Sequence, residues 1–308
     1  MQHTGTFLRM MGRQRLLSKA VRSVISPRQI FSHSHLKIDV SLYVEKEAAL
    51  HPNQIAFKSK LRDHFNLSQL NNISVDDIDK FMALSVNSED LSTACEMIEA
   101  YLGDKDLHIL HPKADLDLLN SYTCVCHILG NPKEAILLWN QPQVRDVIHK
   151  SSSKQLYLAL IIYLDLLQKH GMYNELLEMY RFLTDQRPEL IRQSRKIALL
   201  VMLALYKEGT PESLSQSLLL LGQHQKNKGN QKMIITPALI AYNLGQHAKA
   251  FSILQHFGTS TSSNLLIQSL EMMALSKAGK LDQALEVLRE FLPRRPRRRA
   301  ADGESPAR

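Results

Sequence analysis

The sequence predicts an all-α protein, an α-solenoid of about six helix-turn-helix repeats, on three observations. Glycine-centred turns recur at residues 130, 171, 209, 245 and 279, at intervals of 41, 38, 36 and 34. A recurrence of 20–50 residues marks a stacked-repeat architecture, because one hairpin cannot bury its own apolar face. Between the turns, apolar residues return at the 3–4-residue spacing of a helix, and no segment alternates apolar and polar as a half-buried strand would. The composition agrees: 44% hydrophobic but 6% aromatic, rich in Leu rather than in runs of Val and Ile.

The first segment reads as a mitochondrial transit peptide, residues 1–31. Arg9, Arg13, Arg15, Lys19, Arg22 and Arg28 are set among Phe7, Leu8, Met11, Leu16, Leu17, Val21, Val24 and Ile25, with Ser18, Ser23 and Ser26 between them. Such a basic, acid-free, amphipathic leader is drawn to anionic membrane surfaces and inward by a matrix-negative potential. The arginines interrupt every apolar run that a secretory signal would need. Arg28-Gln29-Ile30-Phe31-Ser32 resembles an arginine-directed processing site, which places cleavage near residue 31 and the protein in the mitochondrial matrix. Residues 32–73 follow as a helical lead-in.

The repeats occupy residues 74–292. In the first pair, Ser74 and Asp77 mark a helix start, Asn87-Ser88 replaces the glycine turn, and Leu91, Ala94, Cys95, Ile98 and Leu102 form an apolar stripe. The later turns are Leu129-Gly130-Asn131-Pro132, Lys169-His170-Gly171-Met172, Lys207-Glu208-Gly209-Thr210-Pro211, Asn243-Leu244-Gly245-Gln246 and Lys277-Ala278-Gly279-Lys280. Glycine in that slot ends a helix in the left-handed conformation, and Pro132 and Pro211 suit the first turn of the next. Leu176, Leu177, Tyr180 and Leu183 make one core-facing stripe, and Leu281, Ala284, Leu285, Leu288 and Leu292 another. Ser151-Ser152-Ser153 reads as a linker, and residues 293–308 as a disordered Arg-rich tail.

The net charge of +8 is misleading until it is divided. Residues 1–38 hold seven Lys and Arg and no acid, and residues 293–308 hold six Arg and two acids, so residues 39–292 carry a net −3. The pI near 9.3 therefore belongs to the two ends, and a basic binding surface has to be sought locally. Three cysteines suit a reducing compartment. The most apolar stretch, Leu156 to Leu167, is interrupted by Asp165, so no stable membrane insertion is expected.

Motifs that carry chemistry are few. Cys124-Val125-Cys126-His127 lies inside a predicted helix, where residues i and i+2 leave on different faces, and no second ligand pair follows at zinc spacing. Asp76, Asp77 and Asp79 are accounted for by the positive end of a helix rather than by a metal. His108 and His111 have no evident partner. Phosphate loops, nucleophile elbows and H-E-x-x-H are missing from the sequence, so no catalytic residue, cofactor or metal is expected and the chain reads as a non-enzyme.

Lys277-Ala278-Gly279-Lys280-Leu281-Asp282-Gln283-Ala284-Leu285-Glu286 resembles the turn of a pentatricopeptide repeat. Met82 to Leu102, Gly171 to Leu183 and Ala248 to Leu254 extend the resemblance over most of residues 41–292. The tetratricopeptide family shares the spacing from glycine to alanine. The pentatricopeptide resemblance implies an RNA-binding adaptor in maturation of a mitochondrially encoded mRNA that supports the respiratory chain. Its expected partners are single-stranded mitochondrial RNA and a processing nuclease or other matrix proteins. The tetratricopeptide alternative implies a protein–protein scaffold.

In pentatricopeptide repeats the residue ten positions before the turn glycine reads a base from the groove, which here selects Asn120, Ile161, Leu199, Ile235 and Ser269. Of these, Asn120 and Ser269 can hydrogen-bond a base edge, whereas Ile and Leu cannot. Three positions earlier stand Asp117, Leu158, Lys196, Lys232 and Leu266. With Arg192, Arg195 and Lys228, the two lysines make the best candidate basic patch.

Overall fold

The computed structural model describes residues 31, 32, 36, 38, 50–66, 73–103, 112–151, 153–224, 231–257 and 265–291. Residues 1–30 of the expected leader, the Arg-rich tail, His108, His111 and Lys228 lie outside these residues. Among them the chain is all helical, with fifteen helices and no strand. They are α1 (Pro52–Asn66), α2 (Val75–Ala83), α3 (Ser88–Gly103), α4 (Pro112–Leu129), α5 (Pro132–Trp139), α6 (Pro142–Lys150), α7 (Ser153–Lys169) and α8 (Tyr173–Gln186). Then follow α9 (Pro188–Gln193), α10 (Arg195–Glu208), α11 (Pro211–Gln223), α12 (Gln231–Asn243), α13 (His247–Phe257), α14 (Leu265–Lys277) and α15 (Leu281–Phe291).

The five turn glycines all take positive φ, between 64° and 77°. At Gly171 the chain makes a paired cap: Gly171 N–H donates to the Gln168 carbonyl at 3.2 Å and Met172 N–H to that of Leu167 at 2.9 Å. Gly209 makes the simpler version, donating to the Leu205 carbonyl at 2.9 Å. Thr210 then caps α11, accepting from Ser213 N–H at 3.0 Å. The expected start at Ser74 is a reciprocal cap with Asp77.

Two compact units divide the chain, Met1–Lys228 and Gly229–Arg308. In the first, the leading helices α2, α4, α7 and α10 pack one against the next. Each has its hairpin partner alongside, α3, α5, α8 and α11, and the first three partners also touch the following leading helix. In the second unit α12 and α14 pack together, and α13 lies against both. The expected stripes of the first unit are core, with Leu91, Ala94, Ile98, Leu176, Leu177 and Leu183 all buried; in the second unit Ala250 and Leu254 are buried as well. Each fully buried leucine contributes about 1.5–3 kcal/mol.

Two helices fall outside the hairpin pattern and explain the long early intervals. Helix α6 follows α5, and α9 follows α8, each opened by a proline (Pro142, Pro188) that ends the preceding helix. Arg187, at the break between α8 and α9, is buried and donates through Nη1 to the carbonyls of Ile148 and Ser151. A cation there satisfies carbonyls at the C-terminal end of α6 and complements its dipole. Helix α1, with only Leu61 buried, is held largely by charge: Lys58 (2.6 Å) and Arg62 (2.8 Å) both meet the buried carboxylate of Asp90 on α3.

One expected core stripe is not core. No residue of α15 whose side chain is described is buried, and Leu281 and Leu285 are 60% and 45% exposed. Among the described residues, α14 is the helix that packs against α15. Among the described residues no helix is long and apolar enough to cross a membrane.

Candidate nucleic-acid interface

Three of the five candidate basic residues, Arg192, Arg195 and Lys196, lie at the junction of α9 and α10. Leu190 and Ile191 bury one side of α9, which leaves Arg192 and Gln193 exposed. Ser194 is buried and caps α10, its hydroxyl accepting from Ile197 N–H at 3.1 Å. Arg195 is exposed in the first turn and Lys196 is half-buried beside it, its ammonium 5.5 Å from the Phe31 ring centre. At the end of α11, His224 lies against the same junction, its Nε2 3.0 Å from the Ile191 carbonyl oxygen. Burial, and then the Arg195 charge, hold this imidazole below its ordinary pKa despite the opposing effect of the carbonyl.

Three cations thus stand within five residues at the positive end of a 14-residue helix. Among the described residues, Arg192 and Arg195 make no ion pair. That separates them from Lys58 and Arg62, which Asp90 and Glu89 offset, and from Arg187, which is paired with Glu189. Unneutralised guanidinium groups beside a helix N-terminus attract phosphate oxygens. Lys232 is exposed in the first turn of α12 and belongs to the second unit.

The positions expected to read bases are placed differently. Ile161, Leu199, Ile235 and Ser269 are 1%, 7%, 3% and 2% exposed. The expectation that Ser269 offers a hydroxyl to a base is therefore corrected: its side chain is enclosed. A leading helix has neighbours on several sides, so only a narrow stripe of it reaches solvent. That stripe passes nearer the set three residues earlier, where Asp117 and Lys232 are exposed and Leu158, Lys196 and Leu266 are half-buried. Asn120 is half-buried, and its Oδ1 has no hydrogen-bond partner among the described residues.

Two further features bear on chemistry. The Cys124-Cys126-His127 run does lie within α4, where burial pushes the Cys124 thiol up to about 11 and the Cys126 thiol well above the usual range. Thiols held protonated are poor metal ligands. Among the described residues no group of three or more His, Cys, Asp or Glu is placed to hold a metal. Sequence reasoning missed the pairing of His127 with Asp165 of α7, Nε2 to Oδ2 3.0 Å, at 1% and 0% exposure. The available signal was Asp165 itself, a charge inside the most apolar stretch of the chain.

No family model, no curated protein and no solved structure matches the chain. The pentatricopeptide resemblance therefore stands on the turn motif and the repeat spacing.

Proposed function

We propose that this chain is a mitochondrial RNA-binding adaptor that holds single-stranded transcript by its phosphates and steers its maturation, without chemistry of its own. The hairpins of each unit would stack as a solenoid, presenting their leading helices to the RNA. The observation that carries the reading is the trio Arg192, Arg195 and Lys196 at the N-terminus of α10, two of them exposed and unneutralised. The burial of Ile161, Leu199, Ile235 and Ser269 supports attachment through the backbone with little base-by-base readout. The leader supports a matrix location, where the adaptor would serve the respiratory chain and meet a processing nuclease.

The test is fluorescence anisotropy with single-stranded RNA between about 50 and 300 mM salt, on protein lacking residues 1–31 and 293–308, whose arginines bind any polyanion. Glu at Arg192, Arg195 and Lys196 should weaken binding to all sequences alike, and each lost phosphate contact should reduce the salt slope by about 0.7. Asn120→Ala should alter preference at one nucleotide at most. A trimmed chain with no affinity even at low salt ends the RNA reading. The tetratricopeptide-like scaffold then takes its place, a reading the buried base-reading slots also favour.

A further inference from the structure

The repeat provides its own control for Lys196. Asp117, Lys196 and Lys232 occupy the same slot on α4, α10 and α12, each at one fixed distance before its turn glycine. Asp117 and Lys232 are exposed there, whereas Lys196 is half-buried. A ring stands over it: the Lys196 ammonium lies 5.5 Å from the centre of Phe31, within reach of a cation–π contact. Phe31 is remote in sequence from α10, so the contact is made by the fold and not by a local turn.

The chain that carries the ring is seated. Leu36 and Ile38 are 0% and 6% exposed, so the segment just after Phe31 is anchored by burial. Leu36 N–H donates to the Ser32 carbonyl at 3.1 Å, which closes one helical turn beside Phe31. Phe31 itself is only half-buried and Ser32 is exposed, so the ring rests on the surface and is not part of the core. It is also the last residue of the expected leader, and the anchoring residues lie on the far side of the expected cut.

We propose that Phe31 is a removable cover on the candidate phosphate site, holding the Lys196 ammonium while the leader is attached and leaving with the leader when it is cut away. The inference rests on the RNA-binding reading of Arg192, Arg195 and Lys196. Both arginines are exposed with the ring in place, so the uncut chain presents two cations of the trio and the processed chain all three. A phosphate oxygen offers the ammonium a charge and a hydrogen bond where the ring offers only its quadrupole. The ring therefore hinders the lysine without disabling it, and its loss should change access to Lys196 about two- to fivefold. Full grip on a transcript would then follow removal of the leader.

Lysine acylation of the full chain by an N-hydroxysuccinimide ester, read residue by residue by mass spectrometry, tests the cover apart from the RNA reading. Lys196 should react about two to five times faster in Phe31→Ala than in the parent chain. Phe31→Trp, which keeps a ring face, should stay near the parent. Lys232 is the internal reference, and its unchanged rate, with unchanged helical content, shows that each variant is folded. Added single-stranded RNA should then shield Lys196 more in Phe31→Ala than in the parent. Because that shielding is read at one residue, the arginines at the two ends of the chain cannot imitate it. Equal Lys196 rates in the parent and in Phe31→Ala overturn the cover, and so does a Phe31→Trp chain that reacts as fast as the alanine variant. Faster labelling with no shielding by RNA upholds the contact and removes instead the phosphate reading of the patch.

Discussion

Helices α7 and α15 both carry apolar stripes, yet they end up in opposite surroundings. From Ala159 to Gln168 every residue of α7 is buried, including Asp165 and Gln168. It lies between α4 and α10, with α5, α8 and α9 also against it. On α15 no described side chain is buried, and among the described residues α14 is the helix that packs against it. Burial in this chain follows from how many neighbours a helix has, and composition sets only which side is offered to them. Polar groups follow the same logic. Asp165 is enclosed because helices close on it from several sides, whereas Asp282 and Glu286 stay in water.

The largest effect should come from Asp165. Asp165→Ala removes one member of a buried pair and takes from His127 its carboxylate, which should cost about 3–5 kcal/mol in urea unfolding. A cost below about 1 kcal/mol would mean the pair is not closed off from solvent. Next stands Leu254→Ala on α13 against Leu285→Ala on α15. The first should cost about 2–5 kcal/mol and the second less than about 0.5 kcal/mol. Equal costs would erase the contrast between covered and uncovered stripes. Arg187→Met should cost about 2–3 kcal/mol by freeing the carbonyls of α6, and hydrogen exchange should quicken in that helix first. A uniform loss across the unit would argue against a local clamp.

Smaller effects test the turns and the junction. Gly171→Ala has room, since an added Cβ would come no nearer than 3.9 Å to Tyr173. Its cost should therefore be the left-handed backbone alone, about 1–2 kcal/mol. His224 offers a pH test. Its folded pKa lies below the ordinary histidine value of 6.5, so the unfolded chain binds more protons as acid is added. The stability tied to its neutral form is present above 6.5 and is lost as pH falls through the lower folded value. His224→Asn should flatten that part of the stability profile between roughly pH 7 and 5. A profile unchanged by the substitution would exclude His224 as its source.

The turns and caps were legible because they are local. Gly130, Gly171, Gly209, Gly245 and Gly279 each need a left-handed φ, and Ser74, Asp77 and Thr210 bond within a few residues of themselves. Stripes such as Leu176 to Leu183 were legible because one helix carries the whole pattern. Helices α6 and α9 escaped notice because a repeat-length reading treats Pro142 and Pro188 as interior to a unit, although each marks a break. Within the candidate interface, Arg192, Arg195 and Lys196 adjoin in sequence and could be found there. That Ile161, Leu199, Ile235 and Ser269 are enclosed could not, since no periodicity states which neighbours a helix will have.

The sequence by itself determined the helices, their ends and the face each offers, because helix geometry and capping act within four or five residues. Only the tertiary structure decided which faces were covered. Partners such as His127 and Asp165, or Arg187 and the carbonyls of α6, stand more than 30 residues apart and meet only when hairpins stack. For the same reason Leu254 became core while Leu285, on an equivalent helix, remained at the surface.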